Sequence, residues 1–270
     1  MYWLDAWKFS DSNEYEYKFQ GKYGAKGEKR HPKAKPTPEQ VRKQNQLNRE
    51  KKVRRLIKAN FKEWDLWCTL KYPAGTRKPL KKIKKDKKLF LNRLRYAFAK
   101  KGEQLKFICR LEIGKRGGIH LHILVQRIEG EDTDIIVQKA WKQGKVNFES
   151  IHDHGGYEKL ANYIVKPPDE EQMEQLSLFP EEERRELTSY STSRNLVRPQ
   201  PERKEYRHWT VRKLIEEGPK PTPGYYIDKN SIRQGVNSYT GMSYFQYTEY
   251  RCETARRTAA GSITDMKGGG

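Results

Sequence analysis

The chain has 270 residues, with 56 Lys or Arg against 35 Asp or Glu, and its formal net charge is +21. A surplus of this size predicts a polyanionic partner, with nucleic acid ahead of an anionic membrane surface. No apolar run approaches the about 20 residues of a membrane-spanning helix, and no secretory signal opens the chain, which argues against a membrane protein and predicts a cytoplasmic one.

The three cysteines, Cys68, Cys109 and Cys252, are scattered along the chain, and no two of them form a CxxC pair. An odd and scattered set argues against a disulfide scaffold or a zinc ribbon and suits a reducing compartment. Cys68 and Cys109 lie in apolar runs, so we expect buried thiols that pack as small hydrophobic groups.

Residues 1–60 are predicted to form an N-terminal extension. Aromatic residues with polar spacing in residues 1–24 predict a short hairpin, and the following residues, rich in Gly, Pro and Lys, predict a flexible basic linker. A helix is expected from Thr37 onward, because Thr-Pro-Glu-Gln offers an N-cap, a proline at the first helical position and an acidic first turn.

Residues 61–168 alternate between the apolar periodicities of strands and helices. The predicted elements are a strand over 65–72, a helix over 79–101, strands over 105–113 and 119–126, a helix over 133–143, a strand over 145–151 and a helix over 156–166. The order β-α-β-β-α-β is that of the split βαβ arrangement, an antiparallel central sheet with helices on one face. The expected fold class is therefore α+β with a ferredoxin-like sheet.

The residues after this sheet are predicted to form three further segments. Residues 169–204 begin with an acidic patch and are interpreted as a linker. Residues 205–252 are rich in aromatic side chains, which indicates a small C-terminal subdomain, and residues 253–270 are expected to be a disordered tail.

The stretch RGGIHLHILV, residues 116–125, places His120 and His122 in an otherwise apolar strand. Side chains two residues apart in a strand share a face and lie about 6.5–7 Å apart. If the hairpin is centred on Arg116, Glu112 lies directly opposite His120, with Cβ atoms about 4.5–5.5 Å apart. Two imidazoles and one carboxylate would then form a three-ligand divalent-metal site with open positions for water or a substrate oxygen.

A second pattern, LANYIVK, lies on the predicted helix 156–166. Tyr163 and Lys166 are three residues apart and therefore neighbours on one helix face. A tyrosine hydroxyl, with an ordinary pKa near ~10, is a weak nucleophile until a cation or a metal-polarised target assists it. In isolation, YxxK is more often a tyrosine packed on a lysine stem. Tyr157 lies roughly 120° away around the helix and is interpreted as a packing residue.

The order of these patterns, preceded by WCTLKY at residues 67–72, resembles the three-motif signature of the HUH endonucleases. The similarity is to the rolling-circle replication initiators, the Rep proteins of plasmids and phages, and covers about residues 64–168. It implies that His120, His122 and Glu112 bind Mg²⁺ or Mn²⁺. It also implies that Tyr163 attacks a phosphate of single-stranded DNA, and that Lys166 stabilises charge beside it.

The resemblance further implies a 5′-phosphotyrosine intermediate at an origin hairpin and a free 3′-OH that a host polymerase extends. The chain has no GxxxxGK[ST] motif for nucleotide binding, so the resemblance implies a host helicase as well.

The run RKPLKKIKKDKK, residues 77–88, concentrates basic side chains around one acid. A helix here can bury Leu80 and Ile83 while its other faces meet phosphates, although a merely solvated face is the alternative. The residues predicted to contact DNA are Lys81, Lys82, Lys84, Lys85, Lys87, Lys88 and Arg116.

Two other interpretations stay open. One is another HUH enzyme, a single-tyrosine transposase or a mobilisation relaxase, although relaxases usually carry their tyrosine near the N-terminus and a third histidine. The other is a non-catalytic, basic nucleic-acid-binding module. An RNA-binding sheet of this class would present aromatic residues where this sequence has His and Glu.

Overall fold

Residues 1–21, 27–115 and 117–252 are described by the computed structural model of the chain. The chain divides into two compact units, Lys43–Arg198 on the one hand and Met1–Arg42 with Pro199–Gly270 on the other. The tail predicted over residues 253–270 lies outside the described residues.

The helices and strands follow the chain in this order: β1 (Tyr2–Lys8), β2 (Ser12–Phe19), α1 (Pro38–Lys58), β3 (Leu66–Leu70), α2 (Leu80–Lys100), β4 (Phe107–Ile113), β5 (Ile119–Val125), α3 (Thr133–Ala140), β6 (Val146–Ser150), α4 (Gly156–Val165), α5 (Glu170–Ser177), α6 (Glu181–Thr188), β7 (Tyr190–Thr192), β8 (Glu202–Tyr206), α7 (Arg212–Glu217), β9 (Tyr225–Ile227), β10 (Arg233–Asn237) and β11 (Met242–Arg251).

The unit Lys43–Arg198 contains a five-stranded antiparallel sheet in the order β6-β3-β5-β4-β7. Helix α2 connects β3 to β4, and β5 fills the gap between these two strands, which is the split βαβ arrangement. The predicted α+β class and the predicted order of elements over residues 61–168 are therefore confirmed.

Helices cover both faces of this sheet, which corrects the expectation of helices on one face. The helices α2 and α3 pack on one face in a core that includes Phe90 and Leu121. The helices α1 and α4 pack on the other face, where Leu124 lies beside Ile57 and Leu160. Because β5 carries apolar residues on both of its faces, both must be covered.

Residues 169–204, interpreted as a linker, instead form α5, α6 and β7. Leu176 and Leu187 are buried in the core beneath α2, and β7 pairs with the edge strand β4. The acidic composition predicted a solvated segment, but two leucines suffice to anchor two short helices whose other faces remain charged.

The second sheet joins the two ends of the chain. Its order is β10-β11-β2-β1-β8, with β9 also paired to β11. The predicted N-terminal hairpin, β1 and β2, is therefore a part of the same unit as the aromatic-rich C-terminal segment. Tyr2 and Tyr17 of the hairpin share a core with Phe245 and Tyr247 of β11, because neither segment alone has enough apolar surface for a core.

Two local predictions are confirmed. The helix α1 begins with a capping box, in which Thr37 Oγ1 accepts from the Gln40 N–H at 3.2 Å and Gln40 Oε1 accepts from the Thr37 N–H at 2.9 Å. Cys68 and Cys109 are buried free thiols. Within the described ranges, no helix is long and apolar enough to cross a membrane.

Candidate active site

The two histidines share one face at the centre of the five-stranded sheet. In the register of β4 with β5, Glu112 pairs with His120, as the sequence predicted, and Arg110 pairs with His122. On the other side of β5, Thr69 of β3 pairs with His122. Alternation along the strands places all five side chains on the face that α1 and α4 cover.

Tyr163 of α4 reaches the same face. Its hydroxyl donates a hydrogen bond of 2.7 Å to Glu112 Oε2 and lies 3.3 Å from His122 Nε2. His122 Nε2 is in turn 2.9 Å from that carboxylate oxygen, and its Nδ1 is 3.1 Å from Thr69 Oγ1. The fold thus brings the tyrosine of the second sequence pattern to the histidine of the first.

The charges in this cluster follow from burial and hydrogen bonding. Burial alone would raise the pKa of Glu112, but hydrogen bonds from His122, Tyr163 and Gln172 lower it to about 2. Burial, reinforced by the bond to Glu112, raises the pKa of Tyr163. Burial and the neighbouring His122 lower the pKa of His120. At neutral pH the site therefore holds an ionised carboxylate and a protonated tyrosine.

Aromatic rings surround the tyrosine. The Trp67 ring stacks on the His122 ring, with centroids 5.5 Å apart and an interplanar angle of 12°. Tyr163 lies edge-on to Trp67 at 5.8 Å and to His154 at 5.4 Å. His154, from the turn after β6, is held by Glu149 at 2.9 Å. These rings fix the tyrosine ring from three sides and leave its hydroxyl directed at Glu112.

Arg110 is a contributor that the sequence analysis missed. It is only 4% exposed, and its guanidinium donates to the carbonyl oxygens of Tyr163 at 2.7 Å, Ile164 at 2.9 Å and Lys166 at 3.1 Å. These carbonyls lie at the end of α4, where a helix lacks internal partners and favours a positive charge. A single arginine inside the apolar strand FICRLEI was the available signal, since an arginine is rarely buried without a partner.

Gln172 of α5 is a second residue that was missed. Its side-chain Nε2 donates to Glu112 Oε1 at 3.0 Å and to the carbonyl oxygen of Ile113 at 2.9 Å. Gln172 also forms the capping box of α5 with Asp169, so the helix start fixes its position. The spacing D-x-x-Q is a signature of such a cap, and this signal was present in the segment interpreted as a linker.

The family comparison matches the part of the chain that contains this site. Residues 65–168 match the model of a family of replication-associated proteins, the ORF2 type. This segment is a replication-associated domain of the Rep type. The match runs from β3 to the end of α4 and includes both histidines, Glu112 and Tyr163. No match is found among curated proteins or among solved structures.

In this Rep-type site, Lys166 lies outside the helix that carries the tyrosine. The helix α4 ends at Val165, and Lys166 leaves the helical conformation because Pro167 follows it. Its side chain is exposed, and its carbonyl oxygen is the part that binds Arg110. The expectation that Tyr163 and Lys166 share a helix face is therefore corrected. Tyr157 is a packing residue as predicted, with its hydroxyl donating to the carbonyl oxygen of Phe61 at 3.2 Å.

The predicted metal ligands are only partly brought together. Across residues 1–21, 27–115 and 117–252, no three His, Cys, Asp or Glu side chains are arranged to hold a metal ion. The His120 and His122 ring centroids are 6.5 Å apart. His122 Nε2 and Glu112 Oε2, at 2.9 Å, have about the separation of neighbouring ligands around an octahedral ion with bonds of ~2.1 Å. The donor types fit Mg²⁺ or Mn²⁺, and two of the three ligands have a suitable spacing.

The lysines predicted to bind DNA lie on α2, in the helix layer on the opposite face of the sheet from Tyr163. Two of them have protein partners, since Lys84 pairs with Glu186 and Lys87 donates to Ser191 Oγ, both at 2.8 Å. The remaining four, Lys81, Lys82, Lys85 and Lys88, are exposed. Arg116 lies outside the described residues. Contact of these residues with DNA stays a prediction.

Proposed function

We propose that this protein nicks and rejoins single-stranded DNA through a tyrosine transesterification and thereby initiates rolling-circle replication of a plasmid or phage. One observation carries the proposal: the Tyr163 hydroxyl lies 2.7 Å from Glu112 and 3.3 Å from His122, within the segment that matches the replication-associated family. A non-catalytic module has no need for a tyrosine hydroxyl held by two potential metal ligands.

The proposed reaction exchanges one phosphate ester for another. The Tyr163 oxygen attacks phosphorus in line, and the bond from phosphorus to the 3′ oxygen breaks. The hydroxyl proton leaves along the hydrogen bond toward Glu112, and the departing 3′ oxygen gains a proton to become a 3′-OH. Because a phosphodiester is retained as 5′-phosphotyrosine, attack by a 3′-OH reverses the reaction and rejoins the strand.

The residues of the site have separate tasks in this proposal. His120, His122 and Glu112 would hold Mg²⁺ or Mn²⁺, which supplies positive charge to polarise the phosphate. The rings of Trp67 and His154 hold the tyrosine ring, and Arg110 holds the end of its helix. Lys166, exposed beside the site, would pair with a phosphate of the bound strand.

The proposed partners follow from the chemistry of the products. A free 3′-OH is the substrate of a polymerase, and the host would supply this enzyme. The chain lacks a GxxxxGK[ST] motif, so unwinding of the duplex is assigned to a host helicase. The DNA partner is a single-stranded origin, presented in a hairpin.

The test is covalent capture of DNA. Wild-type protein is incubated with Mn²⁺ and labelled single-stranded oligonucleotides that span its origin, and adducts are separated on a denaturing gel. We expect a protein-linked label from wild type and none from Tyr163→Phe. Tyr157→Phe is the matched control on the same helix and retains the adduct, because its hydroxyl binds the Phe61 carbonyl oxygen. Equal adduct from Tyr163→Phe and wild type would refute the proposal.

A further inference from the structure

We propose that the exposed face of Trp64, stacked on His152, is a binding site for one unpaired nucleobase of single-stranded DNA. The class of ligand rests on the proposed function, but the residues of this site are separate from the reactive cluster. The family match begins at residue 65 and does not include Trp64.

Trp64 is unusual among the tryptophans of the chain in its exposure. It is 60% exposed, whereas the other five tryptophans, Trp3, Trp7, Trp67, Trp141 and Trp209, are buried or half-buried. Its ring stacks on the ring of His152, with centroids 4.7 Å apart and an interplanar angle of 29°. The stack holds the indole in one orientation and leaves its remaining surface open to a planar ligand.

The loop that carries Trp64 is anchored at five successive carbonyl oxygens, those of residues 61–65. The Phe61 and Glu63 oxygens accept from the Tyr157 hydroxyl at 3.2 Å and the His152 N–H at 2.8 Å. The Lys62, Trp64 and Asp65 oxygens accept from the Asp65 N–H at 2.9 Å, Arg127 Nε at 2.7 Å and the Ile151 N–H at 3.1 Å.

The carboxylate of Asp65, only 4% exposed, anchors the loop a second time. It accepts from the backbone N–H groups of Lys62 at 2.8 Å and Arg127 at 2.7 Å. An aromatic ring on a loop fixed in this way binds a ligand without the entropic cost of first becoming ordered.

The stack lies beside the reactive tyrosine. The turn that supplies His152 also supplies His154, whose ring is 5.4 Å from the ring of Tyr163. Two residues of chain span at most about 7 Å. A strand whose phosphate lies at the Tyr163 hydroxyl therefore brings a neighbouring nucleotide to the region of Trp64.

The charges around the stack complement a nucleic-acid backbone. The Arg127 guanidinium, exposed at its outer side, is bonded to the Trp64 carbonyl oxygen, and Lys62 is exposed two residues before Trp64. Aromatic rings that stack on bases, flanked by cations that meet phosphates, are the combination by which proteins hold single strands. An isolated exposed tryptophan needs no function, but this one is oriented, anchored and flanked by cations.

The test measures binding by the full-length chain with Tyr163→Phe added, so that covalent capture does not contribute. The probe is a fluorescein-labelled origin oligonucleotide, and its anisotropy is titrated with protein. Stacking on one base is worth about 1–3 kcal/mol, so we expect Trp64→Ala to weaken binding about 5- to 150-fold. Trp64→Phe should retain most of the affinity. Tyr96→Ala, which removes a 64% exposed aromatic ring on α2, is the matched control and should bind like the parent.

The same titration with the oligonucleotide annealed to its complement identifies the ligand as a base. We expect Trp64→Ala to leave duplex affinity unchanged, because paired bases do not offer their faces. Trp64→Ala binding single strands as tightly as Tyr96→Ala would overturn the site, and so would an equal loss for duplex. Failure of the proposed function is separate, since it is an absence of adduct from wild type and leaves these affinities to be measured.

Discussion

Glu112→Gln is expected to lower the rate of adduct formation by about 10²–10³-fold, the loss typical for removal of one charge-stabilising group. Both oxygens of Glu112 accept hydrogen bonds, Oε2 from Tyr163 and Oε1 from Gln172. A glutamine has one oxygen and one NH₂ group, so one of these donors loses its acceptor. The substitution also removes the only anionic group among the three proposed metal ligands, which weakens the binding of a divalent ion.

The measurement is the single-turnover rate of adduct formation at several Mn²⁺ concentrations, with Glu131→Gln as the control. Glu131 is also a carboxylate in an ion pair, 2.7 Å from Lys101, but lies away from the site. The control should react like wild type. A Glu112→Gln protein that reaches the wild-type rate at the same Mn²⁺ concentration would show that this carboxylate is neither a ligand nor a proton acceptor.

Arg110→Met is expected to lower the rate of adduct formation by about 10²-fold while leaving the affinity for single-stranded DNA nearly unchanged. The substitution removes the donors of three carbonyl oxygens at the end of α4. Without them the helix end moves relative to the sheet, and a displacement of about 1 Å at a reacting atom costs this much rate. Arg110→Lys keeps the charge and part of the bonding, so we expect an intermediate rate.

Loss of stability must be separated from loss of position in this experiment. Arg110→Met is expected to reduce the free energy of unfolding by about 3 kcal/mol, since hydrogen bonds from charged groups are worth ~1.5–3 kcal/mol each and are not additive. Leu187→Ala, in the core on the other face of the sheet, should cost a similar ~2–5 kcal/mol. Measured at a temperature where both variants are folded, Leu187→Ala should react like wild type. If Arg110→Met also does so, Arg110 is only a structural residue.

The predictable part of this protein is the part whose pattern is local. Alternation in the strand IHLHILV put both histidines on one face, and the short turn after β4 set the register that pairs Glu112 with His120. Helical periodicity and the Thr37 cap gave the helices. These features depend on neighbours within a few residues, so one sequence is enough to find them.

The remaining features depend on contacts between distant parts of the chain. The bond from Arg110 to the Tyr163 carbonyl joins residues 53 positions apart, and the bond from Gln172 to Glu112 joins residues 60 apart. Pairing of β1 with β8 joins residues from the two ends of the chain. Composition misled where it was read alone, because the acidic segment after Pro168 is anchored by Leu176 and Leu187 rather than solvated along its whole length.

The most direct measurement of the central claim identifies the atom that carries the DNA. Protein captured on a single-stranded origin oligonucleotide is digested with nuclease and protease, and the modified peptide is sequenced by mass spectrometry. The account predicts a nucleotide 5′-phosphate on the Tyr163 oxygen, in the peptide that contains LANYIVK. A nucleotide found reproducibly on any other residue, or no modified peptide from protein that cleaves the oligonucleotide, would contradict it.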